Sequence, residues 1–244
     1  MTKDISYNFS PIGIVHSCYK EKFGIPRQPL LVSSPATIEI MPAYSNDDAF
    51  RELENFSHIW VIFVFHKTAN QDWHPTVRPP RLGGNKRTGV FASRSMFRPN
   101  PVGLSVVELT SIERQGSHVV LNIRGGDFLE GTPVLDIKPY LPYADAIENA
   151  NAAYAELKPP ARFKVTFSTQ ARAEIARQET NYPGLGQLVT EILQLDPRPA
   201  YQDKQQLKTD YAMKLYDFDL KWKVENEEVL VVALTPLSLA QDSN

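Results

Sequence analysis

The sequence has little of what secreted and membrane-spanning proteins need. Cys18 is the only cysteine, so no internal disulfide can form, and we interpret it as a small buried residue. The longest apolar run, Ile59 to Phe65, is far shorter than the roughly 20 residues that cross a bilayer. The polar start MTKDISYNFS lacks the basic and apolar regions of a signal peptide. These absences predict a cytoplasmic protein with no membrane partner.

Common nucleotide-binding and nucleophile motifs are also missing. The glycines of GGDFLEG, residues 125–131, are not followed by the Gly-Lys-Ser/Thr of a phosphate-binding loop, and no predicted strand leads into Gly-x-Gly-x-x-Gly. We interpret YPGLG, residues 182–186, as a helix start. No Gly-x-Ser-x-Gly elbow occurs, and the five histidines are scattered along the chain, so no metal site is predicted.

Acidic residues are absent between Asp72 and Glu108, although the whole chain carries a net charge of −2. Prolines and glycines stiffen or bend this window, and ordering a pre-set loop costs less entropy. A rigid basic segment suits contacts with phosphates, whereas the alternative is a solvated loop face or internal salt bridges. The basic residues of the window are Arg78, Arg81, Lys86, Arg87, Arg94 and Arg98.

Short apolar segments separated by turn residues predict a mostly antiparallel sheet or barrel in the first part of the chain. A hairpin turn is predicted at residues 115–117. One helix is predicted over residues 45–56, with Ser45 or Asn46 as its cap and Asp47 and Asp48 in its first turn. The predicted strands are residues 11–18, 36–41, 58–66, 88–93, 104–112, 118–124 and 133–140.

The pattern changes after Pro159 and Pro160, which we interpret as a linker. We therefore predict one domain at residues 1–157 and a small α+β domain at residues 161–244. The second domain is predicted as a strand, two helices and a closing hairpin that turns near Asn226. Its segments are residues 162–168, 169–178, 186–195, 213–224 and 227–234.

Four separated segments resemble the motifs of the TsaA-like family, the tRNA N6-threonylcarbamoyladenosine methyltransferases also called TrmO. They are FGIPRQP, FHK, GVFASRSMFRPNPVGLS and GGDFLEGTPVLDIKPYLPYAD. The resemblance runs over nearly all of residues 7–148, with the four motifs in the family's order. DPRPAY at residues 196–201 resembles the C-terminal extension of bacterial members.

The resemblance implies a mainly β fold, a single-sheeted antiparallel β-barrel, here with the α+β extension. It also implies S-adenosylmethionine as cofactor, a homodimer, and methylation of an already modified adenosine beside the anticodon of threonine tRNA. The anticodon loop is thus the expected partner, and no metal is implied.

The family's cofactor contacts can be carried over by position. Arg27 or Lys67 suits the cofactor carboxylate, Glu130 its polar end and Leu104 its adenine. Without the resemblance, His66 reads as a core residue, Arg94 as a surface ion pair and Glu130 as a turn residue. Many relatives carry Asp in place of Glu130, which keeps the carboxylate. The carried-over positions are Pro26, Arg27, Gln28, His66, Lys67, Arg94, Leu104, Glu130, Gly131, Thr132 and Pro133.

Asp136, with Tyr140 beside it, is the candidate to accept a proton from the target nitrogen. The alternative is that Asp136 and Lys138 form a structural pair on one strand face. Phe97, Tyr140 or Tyr143 could stack on the adenosine. The residues expected to hold RNA phosphates or the threonyl carboxylate are Arg98, Arg81, Lys86 and Arg87.

Two other functions fit the same pattern. A non-catalytic S-adenosylmethionine-binding RNA adaptor would bind cofactor and tRNA without transferring a methyl group. A small-molecule methyltransferase on the same barrel would be active without RNA and indifferent to the basic window.

Overall fold

The structure is a computed structural model that describes residues 6–198, 209–225 and 227–237. These residues form strands joined mostly by turns, with two helices of ten residues and one single-turn helix. The strands are β1 Gly13–Ser17, β2 Pro35–Ile40, β3 His58–Val64, β4 Thr76–Val77, β5 Thr88–Gly89, β6 Val102–Gln115, β7 His118–Arg124, β8 Thr132–Pro139, β9 Lys164–Phe167, β10 Asp210–Leu215, β11 Phe218–Glu225 and β12 Glu228–Pro236. The helices are α1 Pro142–Asp145, α2 Thr169–Gln178 and α3 Leu185–Gln194.

Six strands close into the antiparallel barrel that the sequence predicts, in the order β1-β2-β7-β6-β3-β8. The period-two pattern of β3 explains the closure. Ile59, Val61 and Phe63 point inward and are buried, while His58 and Trp60 are half-exposed on the outer face. The barrel is therefore filled by apolar side chains, and a ligand has room only at its ends.

A second unit follows residues 159–160. Its sheet has the order β10-β11-β12-β9, with β9 parallel to β12. Ser168 caps α2 by accepting a hydrogen bond from the backbone N–H of Ala171 at 3.1 Å. The apolar face of α3, with Leu188 and Ile192, belongs to the same buried cluster as Leu220 of β11. This unit has its own hydrophobic core, separate from that of the barrel.

Two predicted elements of the barrel part are wrong. The helix over residues 45–56 is instead a series of short 3₁₀ turns, because Glu52 adopts a left-handed φ of 68° that ends helical geometry. Its cap is confirmed, since the Asn46 side chain accepts from the backbone N–H of Asp48 at 3.1 Å. Residues 88–93 form only the two-residue strand β5, which continues into a 3₁₀ turn over Val90–Ala92.

The second unit contains one strand more than predicted. Residues 213–224 are not one strand, because the chain turns at Tyr216, where φ is 50°, and β10 pairs back onto β11. The helix start at residues 182–186 is confirmed, with Gly184 in the left-handed region before α3. Asn226 and residues 199–201 of DPRPAY lie outside the described residues. In the described part, no helix is long and apolar enough to cross a membrane.

Candidate active site

A cavity of about 630 Å³ opens at one end of the barrel. Its walls come from the loop between β1 and β2 (residues 18–34, hereafter the β1–β2 loop), the end of β3, the start of β6 and the turn before β8. These elements are far apart in sequence, but antiparallel pairing brings their ends to the same rim. Nine residues predicted from the sequence line this cavity: Pro26, Arg27, Gln28, His66, Lys67, Arg94, Arg98, Leu104 and Thr132.

The described lining of the cavity is strongly basic. Asp127 is the one carboxylate among five lysines and arginines, which are Lys22, Arg27, Lys67, Arg94 and Arg98. An anionic ligand, or a zwitterionic ligand with a carboxylate, fits such a lining.

Two arginines, Arg27 and Arg94, line the cavity from different segments of the chain. Arg94 donates a hydrogen bond to the side-chain oxygen of Gln28 at 2.8 Å, and this contact joins the β1–β2 loop to the segment that leads into β6. Arg27 is partly desolvated, and this burial lowers the pKa of its guanidinium; the carboxylate of Asp196 opposes that effect and Arg81 adds to it. Arg27 also donates to the backbone carbonyl of Arg198 at 3.4 Å.

Sequence reasoning missed Asp127. Its carboxylate accepts a hydrogen bond from the hydroxyl of Ser105 at 2.6 Å, and burial raises its pKa to about 6 despite the opposing effects of that bond and of Arg94. The signal was available, because an acid follows Gly125 and Gly126 directly after an apolar strand, but the resemblance placed cofactor contacts in this segment only at Glu130, Gly131, Thr132 and Pro133.

His66 follows the last residues of β3 at the cavity wall. Burial, followed by the neighbouring charge of Lys67, lowers the pKa of its imidazole, while a hydrogen bond with the Val64 backbone opposes that shift. The imidazole is therefore neutral near pH 7 and can act as a hydrogen-bond donor or acceptor to a bound ligand.

Glu130, Gly131 and Pro133 do not line the cavity. The Glu130 carboxylate points to the outer side of β1, where it accepts from the backbone N–H of Ser17 at 2.6 Å and lies 3.2 Å from His16 and 3.8 Å from Lys20. Gly131 has a φ of 75°, which favours glycine, and its N–H donates to the Val15 carbonyl. This turn fixes the position of Thr132.

Asp136 and Tyr140 also lie away from the cavity. Asp136 pairs with Lys138 at 2.9 Å, as the structural alternative predicted, and accepts from the backbone N–H of Ile137. The Tyr140 ring packs against His58 and Trp60 on the outer face of the barrel, with ring centroids 6.4 and 5.9 Å apart. Neither side chain reaches the cavity within one chain.

The basic residues predicted to hold RNA are in different situations. Arg98 donates to the carbonyls of Ser93 at 2.7 Å and Val90 at 3.3 Å. Arg81 donates to the carbonyl of Leu157 and lines a second cleft of about 440 Å³ beside residues 153–160. Lys86 and Arg87 are exposed and form no ion pair within the described residues.

Two family models match the chain. One describes the N-terminal domain of tRNA-methyltransferase O and matches residues 14–146; the other describes the TrmO C-terminal domain and matches residues 160–237. The first range contains the barrel strands, except Gly13 of β1, and all of the described cavity lining, and the second contains the α+β unit. The chain therefore belongs to the TrmO family, as the sequence motifs indicated.

Individual relatives agree over the full length. The chain is 46% identical over 232 residues to the tRNA (adenine(37)-N6)-methyltransferase of Escherichia coli, covering 95% of this chain and 99% of the relative. It is 42% identical to a provisionally named S-adenosylmethionine-dependent methyltransferase of Pseudomonas aeruginosa, covering 93% and 97%. The crystal structure of TrmO from P. aeruginosa superimposes with a TM-score of 0.79 at 34% identity, covering 97% of this chain and all of that one.

Proposed function

We propose that the chain transfers a methyl group from S-adenosylmethionine to N6 of adenosine 37 in tRNA. The E. coli relative, aligned over almost its whole length, carries this activity in its name. The observation that carries the proposal is the cavity, which unites residues of four separated sequence motifs. Its lining is basic and has a single carboxylate among the residues that the structure describes.

The cavity fits the cofactor in size and in chemistry. Its volume lies within the range of about 300–1,000 Å³ typical of small-molecule sites. Arg94 and Lys67 suit the cofactor carboxylate, Asp127 suits its ammonium group, and Leu104 offers an apolar wall for the adenine. S-adenosylmethionine supplies a methyl group on a sulfonium, a reactive donor, so the protein's main task is to hold donor and acceptor in line.

More specifically, the proposed substrate is an adenosine that already carries a threonylcarbamoyl group, in the anticodon loop of threonine tRNA. Its carboxylate matches a basic rim, and splayed bases of an RNA loop stack on aromatic rings. The Tyr143 ring is 87% exposed but follows β8 at the barrel end opposite the cavity, whereas Phe97 is already packed against His74 and Lys22. Lys86 and Arg87 are available for phosphates, and we expect such an enzyme to act in the cytoplasm, where tRNA is modified.

A homodimer is part of the proposal. Val102 and Leu104 are 40% and 50% exposed at the edge of the cavity, and a second subunit would cover them. If Asp136 or Tyr140 accepts the N6 proton, that side chain must come from the partner subunit. Mixing an Arg94→Ala protein with an Asp136→Asn protein should then restore about a quarter of the wild-type activity, because half of the dimers would each have one intact site. No recovery on mixing would contradict shared sites.

The division into a catalytic part at residues 1–157 and a tRNA-holding part at residues 161–244 stays a prediction. Methyl transfer itself requires the cavity and does not depend on this division.

Incubation of the protein with S-adenosylmethionine labelled in its methyl group and with tRNA tests the activity. Label is expected at nucleoside 37 of threonine tRNA, and only if the tRNA carries the threonylcarbamoyl group. Binding of both partners without transfer would support the adaptor, and transfer to small molecules without RNA would support the small-molecule enzyme.

A further inference from the structure

The β1–β2 loop leaves the barrel and enters the hydrophobic core of the α+β unit. Cys18, Tyr19 and Val32, with at most 2% of their surface exposed, belong to the same buried cluster as Leu215 and Trp222. Because the Cys18 thiol is buried there, its pKa is raised to about 12, so it remains a neutral packing group. The β1–β2 loop therefore forms part of the core of the α+β unit, not of the core of the barrel.

The contacts are concentrated on β10 and β11. The Phe23 ring stacks on Trp222, with centroids 5.8 Å apart and an interplanar angle of 25°. The backbone at Gly24 packs directly on Met213, since a Cβ at this position would lie 2.9 Å from the Met213 sulfur. Ile25, directly after Gly24, lines the cavity, and Pro26, Arg27 and Gln28 follow it there.

Hydrogen bonds fix both ends of the same loop. The N–H of Tyr216 donates to the Cys18 carbonyl at 2.8 Å, and the N–H of Lys214 donates to the Glu21 carboxylate at 3.0 Å. At the far end the N–H of Ser33 donates to the Glu191 carboxylate of α3 at 2.6 Å. Residues 26–28 thus lie between two attachments to the α+β unit.

The charges of the α+β unit also indicate a role other than tRNA binding. Many of its exposed lysines are already neutralised by acids, as in Lys164–Glu228 at 3.0 Å, Lys221–Asp219 at 3.4 Å and Lys223–Asp210 at 3.4 Å. Paired charges add little affinity for RNA phosphates, because the counterion release that drives such binding is reduced. Holding tRNA alone does not account for the unit's contacts.

We infer that the α+β unit positions the cofactor-binding residues Pro26, Arg27 and Gln28. It supports these residues from the side that faces away from the cavity. A loop held in its bound conformation binds a ligand more tightly, because less ordering entropy is lost on binding. The inference rests on the proposed function in one respect, namely that S-adenosylmethionine is the ligand of the cavity.

The test uses the full chain and measures cofactor dissociation constants by calorimetry. Met213→Ala removes the side chain under Gly24. Val165→Ala is the matched control, because Val165 packs on the same core from β9, at the opposite edge of the sheet from β10. Met213→Ala is expected to raise the Kd for S-adenosylmethionine at least about fivefold, and Val165→Ala less than twofold, at a comparable loss of thermal stability. Met213→Leu should restore most of the affinity.

A milder variant keeps the test decisive if Met213→Ala does not fold. Glu21→Gln weakens only the bond to the Lys214 N–H, and it should raise the cofactor Kd about twofold or more and speed hydrogen exchange in residues 22–28. Unchanged Kd values in the folded variants, or equal changes in Met213→Ala and Val165→Ala, would overturn the inference. Failure of the wild-type protein itself to bind S-adenosylmethionine would instead overturn the proposed function.

Discussion

Two segments with arginines meet at the cavity, and they are held in opposite ways. The β1–β2 loop is fixed by core packing and backbone hydrogen bonds before any ligand is present. In the segment of residues 78–98, hereafter the basic segment, Lys86 and Arg87 extend into solvent without an ion pair among the described residues. A pre-formed wall suits a small ligand of fixed shape, whereas unpaired charges on a surface suit a polyanion.

The basic segment repeats this contrast within itself. Arg98 donates to two carbonyls of its own loop, and its guanidinium lies 5.7 Å from the Phe91 ring centroid. Arg94 reaches across the cavity to one side-chain amide, which a ligand could replace. Arg98 therefore shapes the rim, and Arg94 remains available to the ligand. This separates two residues that both carry a charge in the same motif.

The largest effect is expected for Asp127→Asn, which removes the only carboxylate in the described lining of the cavity. A hydrogen bond to a charged group contributes about 1.5–3 kcal/mol, so the Kd for S-adenosylmethionine should rise about 10- to 100-fold at pH 7.5. Ser105→Ala, which keeps the charge, should change it much less. Calorimetry that finds wild-type affinity in Asp127→Asn would remove Asp127 from the site.

Because the pKa of Asp127 is raised, the stability of the Asp127→Asn variant should depend on pH differently from that of the wild type. Between its ordinary value of 3.8 and about 6, the folded protein binds more protons than the unfolded chain, so the ionised carboxylate lowers stability as pH rises through this window. Asp127→Asn should therefore be more stable than wild type at pH 7.5, by on the order of 3 kcal/mol, and lose this advantage as pH falls. Thermal unfolding across pH measures this difference.

Cofactor binding should show the opposite sign. A bound ammonium group favours the ionised carboxylate, so the wild-type Kd should rise below about pH 6. His66 and the cavity cations, which include Arg94 and Lys67, face the same space, and His66 gains charge on acidification. Asp127→Asn keeps all of these groups, so the difference between the two pH profiles isolates Asp127. Parallel profiles would contradict this assignment.

Separate replacement of Arg94 and of Arg98 tests the contrast between these two arginines of the basic segment. Arg94→Ala should raise the cofactor Kd at least about fivefold with little change in thermal stability, since it loses more than about 1 kcal/mol of charge-assisted binding. Arg98→Ala should mainly lower stability, by about 1–2 kcal/mol, because two carbonyls of its loop lose their donor. Calorimetry and thermal unfolding of both variants separate the effects. Equal losses of affinity would mean that both arginines contact the cofactor.

The sequence was sufficient for the barrel because its strands alternate apolar and polar residues with period two, as in β3. It failed at residues 45–56 because helical spacing of Phe50 and Leu53 also suits two separate turns that each bury one side chain on the barrel. The extra strand β10 was missed because Tyr216 holds a left-handed turn without glycine or asparagine. Local propensity does not reveal a turn that tertiary packing imposes.

For the site, motif spacing located residues that share the cavity but not the direction of every side chain. Glu130 and Asp127 lie three residues apart in one turn, yet one carboxylate contacts β1 and the other enters the cavity. The packing of the β1–β2 loop in the core of the α+β unit could not be predicted from the sequence either. Phe23 and Trp222 are about 200 residues apart, and their contact depends on the folded topology.

The smallest effect is expected on the exposed side of the comparison, for the double variant Lys86→Gln/Arg87→Gln. Each lost phosphate contact should reduce the slope of log affinity against log salt for tRNA by roughly 0.7–0.9, and the tRNA KM should rise a few-fold near physiological salt. The cofactor Kd should not change, since neither side chain lines the cavity.

Arg51→Gln/Arg124→Gln is the matched control for that variant. It removes the same number of charges from exposed sites that already have an acidic partner, Asp48 for Arg51 and Glu108 for Arg124. If tRNA affinity depends only on total charge, both double variants will flatten the salt dependence equally. If the unpaired charges of the basic segment hold the RNA, only Lys86→Gln/Arg87→Gln will do so, because the charges removed in the control were already compensated within the protein.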